Sequence, residues 1–343
     1  VMASMVNVAI HASQFPETVR RDLTHSLRTR SINHKFHYDS IKQAQKWLAL
    51  HRAYSPSQTD PDCAAIYEQS FQAAAAACAN TTRIHLTGLG CGGGQKEARL
   101  LHLLRRPDRS VSYTPCDVST ALVLTAVQEA SAILPPNACQ PVVCDLATAD
   151  DLPGELKQLV PTGSAHLITC FGMIPNFEPP TILPLLSGLL RRGDQLLLSG
   201  NLAPGADYNA GLARILPLYD NPMTRDWLLC FLLDLGVERT DGQLSFDIEN
   251  CPTGSGLKRI AAYFQFTRAC RIAIGDEHFE FRIGDSLRLF YSYRHTPDRI
   301  LALLELHGVS IIQQWISRSE DEGVFLCGPA EGEPAKRGQS PHL

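Results

Sequence analysis

Between positions 84 and 199 the chain alternates short, uninterrupted apolar runs with longer stretches of helical period. The runs at 84–86, 111–114, 140–144, 166–170 and 195–199 read as strands. The stretches between them, up to Leu104 and then over 120–134, 152–160 and 181–190, read as helices. Regular alternation of this kind implies parallel pairing with helices on both faces. Strands without polar interruptions fit a sheet buried on both sides. In such open sheets the ligand lies beyond the C-terminal ends of the strands. Here those ends are Gly88–Gly94, Asp117, Asp145, residues 171–176 and Gly200-Asn201, each of them glycine-rich or polar.

The flanks differ. Residues 16–29, 40–51 and 62–79 carry helical patterns, with a Pro- and Ser-rich turn over 54–61. They predict an all-helical cap packed on the main domain, since the segment is short for a core of its own. After Pro204 the alternation stops. Helices are expected at 209–219 and 224–235, and strands at 259–270, 278–283 and 285–293. A helix at 297–307 and strands at 309–316 and 324–327 then return to the sheet. The division expected is a cap over 1–80, a nucleotide-binding domain over 81–203, a substrate-binding insertion over 204–295, a closing hairpin over 296–328 and a flexible polar tail over 329–343. The Val1-Met2-Ala3-Ser4 start reads as an expression scar.

Composition narrows the class. The 343 residues are 44% hydrophobic with a net charge of −4, enough for a sizeable core and without a basic run for nucleic acid. No apolar run reaches membrane-spanning length, and 1–10 is too short for a secretory signal. Eleven cysteines, an odd number with no C-x-x-C pair, read as small buried hydrophobes in a reducing cytoplasm. His34 and His37 form an isolated H-x-x-H without a third ligand, so no metal is expected. The protein is expected to be a monomer or weak dimer acting on a small molecule.

Gly88-Leu89-Gly90-Cys91-Gly92-Gly93 fits G-x-G-x-x-G between a strand and a helix. The backbone must turn sharply there, and the helix N-terminus offers N–H groups to an anion. Three readings compete: S-adenosylmethionine (SAM), NAD and a structural turn. Asp117 at the second strand end suits ribose hydroxyls in either nucleotide. Asp145, followed by Leu146, suits an adenine amine and ring, and this second acid favours SAM.

Several ordered stretches carry a resemblance: Lys35-Phe-His-Tyr-Asp39, Ala53 to Asp60, Gly88 to Lys96, Tyr113 to Ser119, Gly172 to Phe177, Gly193 to Leu198 and Leu287 to Arg294. Over about 30–328 the chain resembles the histidine Nα-methyltransferases of ergothioneine biosynthesis. The resemblance implies an α/β fold: a Rossmann-like class I methyltransferase domain with a helical N-terminal cap and an inserted α+β substrate domain. It implies Tyr38 on the cofactor side, Gly88, Gly90, Phe171 and Gly172 around the cofactor, and Lys96 at the methionine carboxylate of SAM. It implies Asp117 at the ribose, and Asp145 with Leu146 at the adenine. Tyr54 lines the amino-acid pocket, Asn176 and Tyr219 hold a substrate carboxylate, and Ser292 lies near the substrate side chain. Tyr54, Asn176 and Ser292 are the candidates to orient the nucleophile.

Three departures bear on the substrate. Phe290 stands where the family has a glutamate, the loop between Gly172 and Asn176 is one residue shorter, and Asn201 replaces an aspartate. A phenyl ring in place of the acid removes charge-assisted hydrogen bonds to an imidazole. N-methylation of an amino acid or amine other than histidine is therefore expected. Two alternatives stand beside it: a SAM cyclase forming azetidine-2-carboxylate and methylthioadenosine, and a non-catalytic SAM-binding module. Strand alternation sends Phe290 and Ser292 to one face, and Tyr291 and Tyr293 to the other, so one set at most is expected to line a pocket.

Overall fold

The computed structural model describes residues 5–330; the Val1–Ser4 start and residues 331–343 of the tail lie outside the described residues. The first element corrects the all-helical expectation: β1 (Ala9–Ile10) pairs in parallel with a strand at the sheet edge. Then come α1 (Pro16–Thr29), α2 (Ile41–Tyr54), the single turn α3 (Pro56–Thr59) and α4 (Pro61–Ala77). Pro at the first helical position starts α1, α3 and α4, where its missing N–H costs nothing. Ser40 and Gln43 close a reciprocal capping box at the start of α2.

The alternating body follows: β2 (Arg83–Leu89), α5 (Gln95–Leu104), β3 (Ser110–Asp117), α6 (Thr120–Ala130), β4 (Val142–Val143), α7 (Leu152–Leu159), β5 (Ala165–Cys170), α8 (Pro179–Leu189) and β6 (Gln195–Asn201). The inserted segment contains α9 (Tyr208–Tyr219), α10 (Pro222–Asp234), β7 (Gly242–Asn250), β8 (Lys258–Phe266), β9 (Cys270–Ile274), β10 (Glu277–Phe281) and β11 (Ser286–Arg294). The chain ends with α11 (Pro297–Leu306), β12 (Val309–Ile316) and β13 (Glu322–Pro329).

The main sheet has eight strands in the order β1-β4-β3-β2-β5-β6-β13-β12. All pairs from β1 to β6 are parallel, and β13 and β12 are antiparallel. The chain moves from β2 outward through β3 and β4, then crosses back to β5, so the direction reverses between β2 and β5. A crevice opens at such a reversal, beyond the strand ends. One apolar cluster, with Leu152, Leu186, Leu198 and Phe325, covers one face of the sheet; another, with Phe71, Leu100, Leu101 and Tyr113, covers the other.

A third cluster lies under the inserted sheet β11-β8-β7. It joins Phe264, Leu287 and Phe290 to Trp227 and Phe231, and also to Leu27, Ile32 and Phe36 from the N-terminal segment. The expectation that this segment packs on the main domain therefore applies to α4 alone. The stretch from α1 to Phe36 completes the core of the insertion, and Ser31 bridges to Arg288 on β11. Among the described residues no helix is long and apolar enough to cross a membrane. No group of three His, Cys, Asp or Glu residues there is arranged to hold a metal.

Candidate functional site

A cavity of about 630 Å³ occupies the crevice between the strand ends, the N-terminal segment and the insertion. Of the residues singled out from sequence, Tyr38, Tyr54, Gly90, Lys96, Asp117, Asp145, Leu146, Phe171, Gly172, Asn176, Tyr219, Phe290 and Ser292 all line it. Gly88 does not, and this corrects its assignment to the cofactor. It lies inside β2, where a Cβ would meet the Tyr113 hydroxyl at 3.1 Å and Glu97 Cγ at 3.2 Å. Its missing side chain makes room for those two groups. The glycines that hold the loop in the left-handed region are Gly90, Gly92 and Gly94, so the working frame is offset from the literal G-x-G-x-x-G.

Asp117 ends β3 with both oxygens anchored. Oδ2 accepts the Gly92 N–H at 3.0 Å and Oδ1 the Ser119 N–H at 3.0 Å. Burial pushes its pKa up to about 6, against the pull of those N–H groups. Each carboxylate oxygen keeps lone-pair capacity for a hydroxyl. Tyr38, whose phenol is pushed up by burial and by the Asp117 charge, packs between Trp47 and Trp227 with ring centroids 5.8 and 5.5 Å away.

Asp145 follows β4. Its Oδ1 accepts the Ala147 N–H at 2.9 Å, and its Oδ2, buried, has no hydrogen-bond partner. The Lys35 ammonium stands 3.3 Å from that oxygen and also pairs with Asp22 on α1. Lys35 was not assigned a role from sequence, yet it ties the N-terminal segment to the cavity floor. Its partners lie on other elements, so spacing along the chain gives no sign of them.

Lys96, in the first turn of α5, has its Nζ 4.1 Å from the Tyr67 ring centroid and 5.6 Å from that of Phe171. Burial lowers its pKa. No carboxylate lies within 4.0 Å of it among the described residues. A cation and two strand-end acids, one with an orphaned oxygen, match an adenosyl group carrying an amino-acid carboxylate. The donor set fits SAM.

On the opposite wall Tyr219 donates to Ser292 Oγ at 2.9 Å. Asn176 donates to the Gly172 carbonyl at 3.5 Å, and Tyr54 sits half-exposed at the rim. Phe290 stacks on His34 with centroids 4.9 Å apart and meets Trp227 edge-on at 5.7 Å. The pairing register of β11 slips between Arg288 and Phe290, a bulge that increases twist. Tyr291 lines the cavity alongside Phe290 and Ser292, so the expectation of a single lining set is corrected. Tyr293 turns away to Glu178 and Arg259. The H-x-x-H histidines fasten the segment to β11: His34 Nε2 accepts the Tyr291 N–H at 3.2 Å, and His37 Nε2 meets the Leu289 carbonyl at 2.6 Å.

A family model described as histidine-specific, SAM-dependent methyltransferase matches residues 16–329. The chain belongs to this family. It is thereby a member of a SAM-dependent transferase family, which removes the NAD reading. It is 24% identical over 244 residues to the N-methyltransferase fsqC of Aspergillus fumigatus, across 69% of this chain. The chain spans 64% of that relative's length. Among solved structures it is similar to the magnesium protoporphyrin IX methyltransferase of Synechocystis PCC 6803 with bound SAH. That match has 13% identity, a TM-score of 0.44, and 84% and 95% of the two chains covered. It is also similar to the 1,6-didemethyltoxoflavin-N1-methyltransferase of Burkholderia thailandensis, at 10% identity, a TM-score of 0.42, and 84% and 87% coverage.

Burial also sets the response of this family member to acid. His37, His51 and His295 are held neutral, with pKa lowered to about 4, and His85 to about 3. Against them, Glu97 is raised to about 7 and Asp117 to about 6. Between about pH 6.5 and 4 the unfolded chain takes up protons on these histidines that the folded chain refuses, which lowers stability on acidification. The two acids oppose this, since the folded state holds their protons, but they are outnumbered. The melting temperature is expected to fall steadily from pH 7 to pH 5 in scanning calorimetry; a rise would mean that the acids dominate.

Proposed function

We propose that the chain is an N-methyltransferase acting on a small amino acid other than histidine, with an apolar or aromatic side chain. The observation that carries this is Phe290, whose ring forms the cavity wall with His34 and Trp227 where the family has an acid. An imidazole or a charged side chain would meet a phenyl ring there and lose its partner. An apolar group gains ring contacts instead.

In this reading Asp117 takes the ribose hydroxyls, Asp145 the adenine amine with Leu146 against the ring, and Lys96 the methionine carboxylate. Gly90 and Gly172 let the backbone approach, and Tyr38 and Phe171 shield the cofactor from water. When bound, SAM supplies an electrophilic methyl group on a sulfonium. Displacement at that carbon demands alignment more than acid–base assistance. Tyr54, Asn176 and Ser292 orient the amine, and the low-polarity surroundings favour its neutral, nucleophilic form. The same residues divide the chain functionally at about 80, 203 and 295, the insertion facing the acceptor.

Incubation of the purified protein with SAM and a panel of amino acids tests the reading. S-adenosylhomocysteine formed only with an amino acid present, and a methylated product, is the expected result. Methylthioadenosine without any acceptor would mean cyclisation instead, and neither product would leave a binding module. With an acceptor in hand, Phe290→Ala is expected to raise its KM about tenfold, the worth of one or two ring contacts at ~0.5–1.5 kcal/mol each. An unchanged KM with a lower melting temperature would assign Phe290 to packing alone.

A further inference from the structure

One buried cation in the cavity has no place in the scheme above. Arg294, at the end of β11, is 8% exposed and lines the cavity. Its hydrogen bonds all go to neutral oxygens: Nη1 to the Leu202 carbonyl at 3.2 Å and the Asp321 carbonyl at 3.4 Å, and Nη2 to the Tyr219 hydroxyl at 2.9 Å. Its Nε has no partner. The guanidinium lies 5.3 Å from the Tyr219 ring centroid.

No carboxylate oxygen comes within 4.0 Å of it among the described residues. The nearby acids are committed elsewhere: the Asp321 carboxylate to Ser317 and Ser319, and Glu322 to Tyr67. A charge taken out of water without a counter-charge is costly, and a buried ion normally has a partner. The hydrogen bonds also have a direction. Arg294 donates to Tyr219, and Tyr219 donates to Ser292 Oγ. The Ser292 hydroxyl hydrogen is then left to donate to a further acceptor.

We infer that Arg294, through Tyr219 and Ser292, forms the anion subsite that makes a free carboxylate a requirement for the acceptor. This rests on the methyltransferase reading and deepens it, because it separates free α-amino acids from the amines that lack the carboxyl group. An anion seated there supplies the missing counter-charge and accepts the Ser292 hydrogen. Charge-assisted hydrogen bonds of this type are the strong ones.

The test is thermal stabilisation of the protein, saturated with S-adenosylhomocysteine, by matched pairs: L-phenylalanine and phenethylamine, L-tyrosine and tyramine, L-leucine and isoamylamine. At least one acid is expected to bind ten times or more tighter than its amine. In Arg294→Met that ratio is expected to fall towards one, and Arg294→Lys to recover part of it. A purely structural Arg294 would weaken both members of a pair alike and leave the ratio standing. Equal binding of acid and amine by the wild-type protein, preference for the amines, or no binding of any acid overturns the inference. The wild-type ratio decides even if Arg294→Met does not fold. Methyl transfer to amines without preference for the acids would remove this subsite and leave the methyltransferase reading intact.

Discussion

Asp117→Asn is expected to weaken S-adenosylhomocysteine binding by two to three orders of magnitude in titration calorimetry. Two losses add. A carboxylate that accepts hydroxyl hydrogens makes hydrogen bonds worth ~1.5–3 kcal/mol each, and an amide makes weaker ones. Both carboxylate oxygens also accept backbone N–H groups, from Gly92 and Ser119. Whichever way the asparagine amide turns, its NH₂ faces one of those donors, so one anchor of the glycine loop breaks. Several kcal/mol of lost binding corresponds to the stated range at about 1.4 kcal/mol per tenfold. The product is the right probe because it cannot turn over. Titration well below the melting temperature keeps unfolding out of the signal. An affinity within threefold of wild type would place the ribose elsewhere.

That Asp117 and Asp145 are legible in the sequence follows from where they stand. Parallel strands buried on both faces, such as β2 and β5, are continuous apolar runs, and a polar residue ending one is conspicuous. The missed elements lack that contrast. β1 has two residues, both exposed, and exists through pairing to β4 alone. β7 does carry a period of two, with Leu244, Phe246 and Ile248 towards the core and Gln243, Ser245 and Asp247 outward, the pattern of an edge strand with one wet face. The run at 259–270 is divided because β8 ends at Phe266 and β9 begins at Cys270.

The site divides in the same way. Residues whose role depends on position at a strand end or a helix start, such as Asp117, Asp145 and Lys96, are readable locally. Lys35 and Arg294 are not, since their meaning comes from partners on other elements: Asp22 and Asp145 for one, Tyr219 and Leu202 for the other. Gly88 was over-read for the opposite reason. Its spacing matches a pattern, but its Cβ position points at Tyr113 and Glu97 rather than at the cavity.

The largest stability effect is expected at the loop glycine that starts α5. Gly94 has φ +76°, and a Cβ there would lie 2.6 Å from Ala126 Cα on α6. A left-handed backbone costs an L-residue ~1–2 kcal/mol, and overpacking a buried contact a further ~1–3 kcal/mol. The neighbour is main chain, so no rotamer change relieves it; α5 and α6 must move apart. Gly94→Ala is therefore expected to cost about 2–5 kcal/mol, read as a clear fall in melting temperature. Gly163→Ala is the matched control: its φ is +77°, and nothing lies within 4 Å of its Cβ position. Only the backbone penalty applies there, so the difference between the two variants isolates the collision with α6. Displacing the N-terminus of α5 also carries Lys96 away from the loop, two residues on. S-adenosylhomocysteine affinity should then fall in Gly94→Ala and hold in Gly163→Ala. Equal melting temperatures for the two variants would mean that α6 yields without cost and that Gly94 is set by its backbone angle alone.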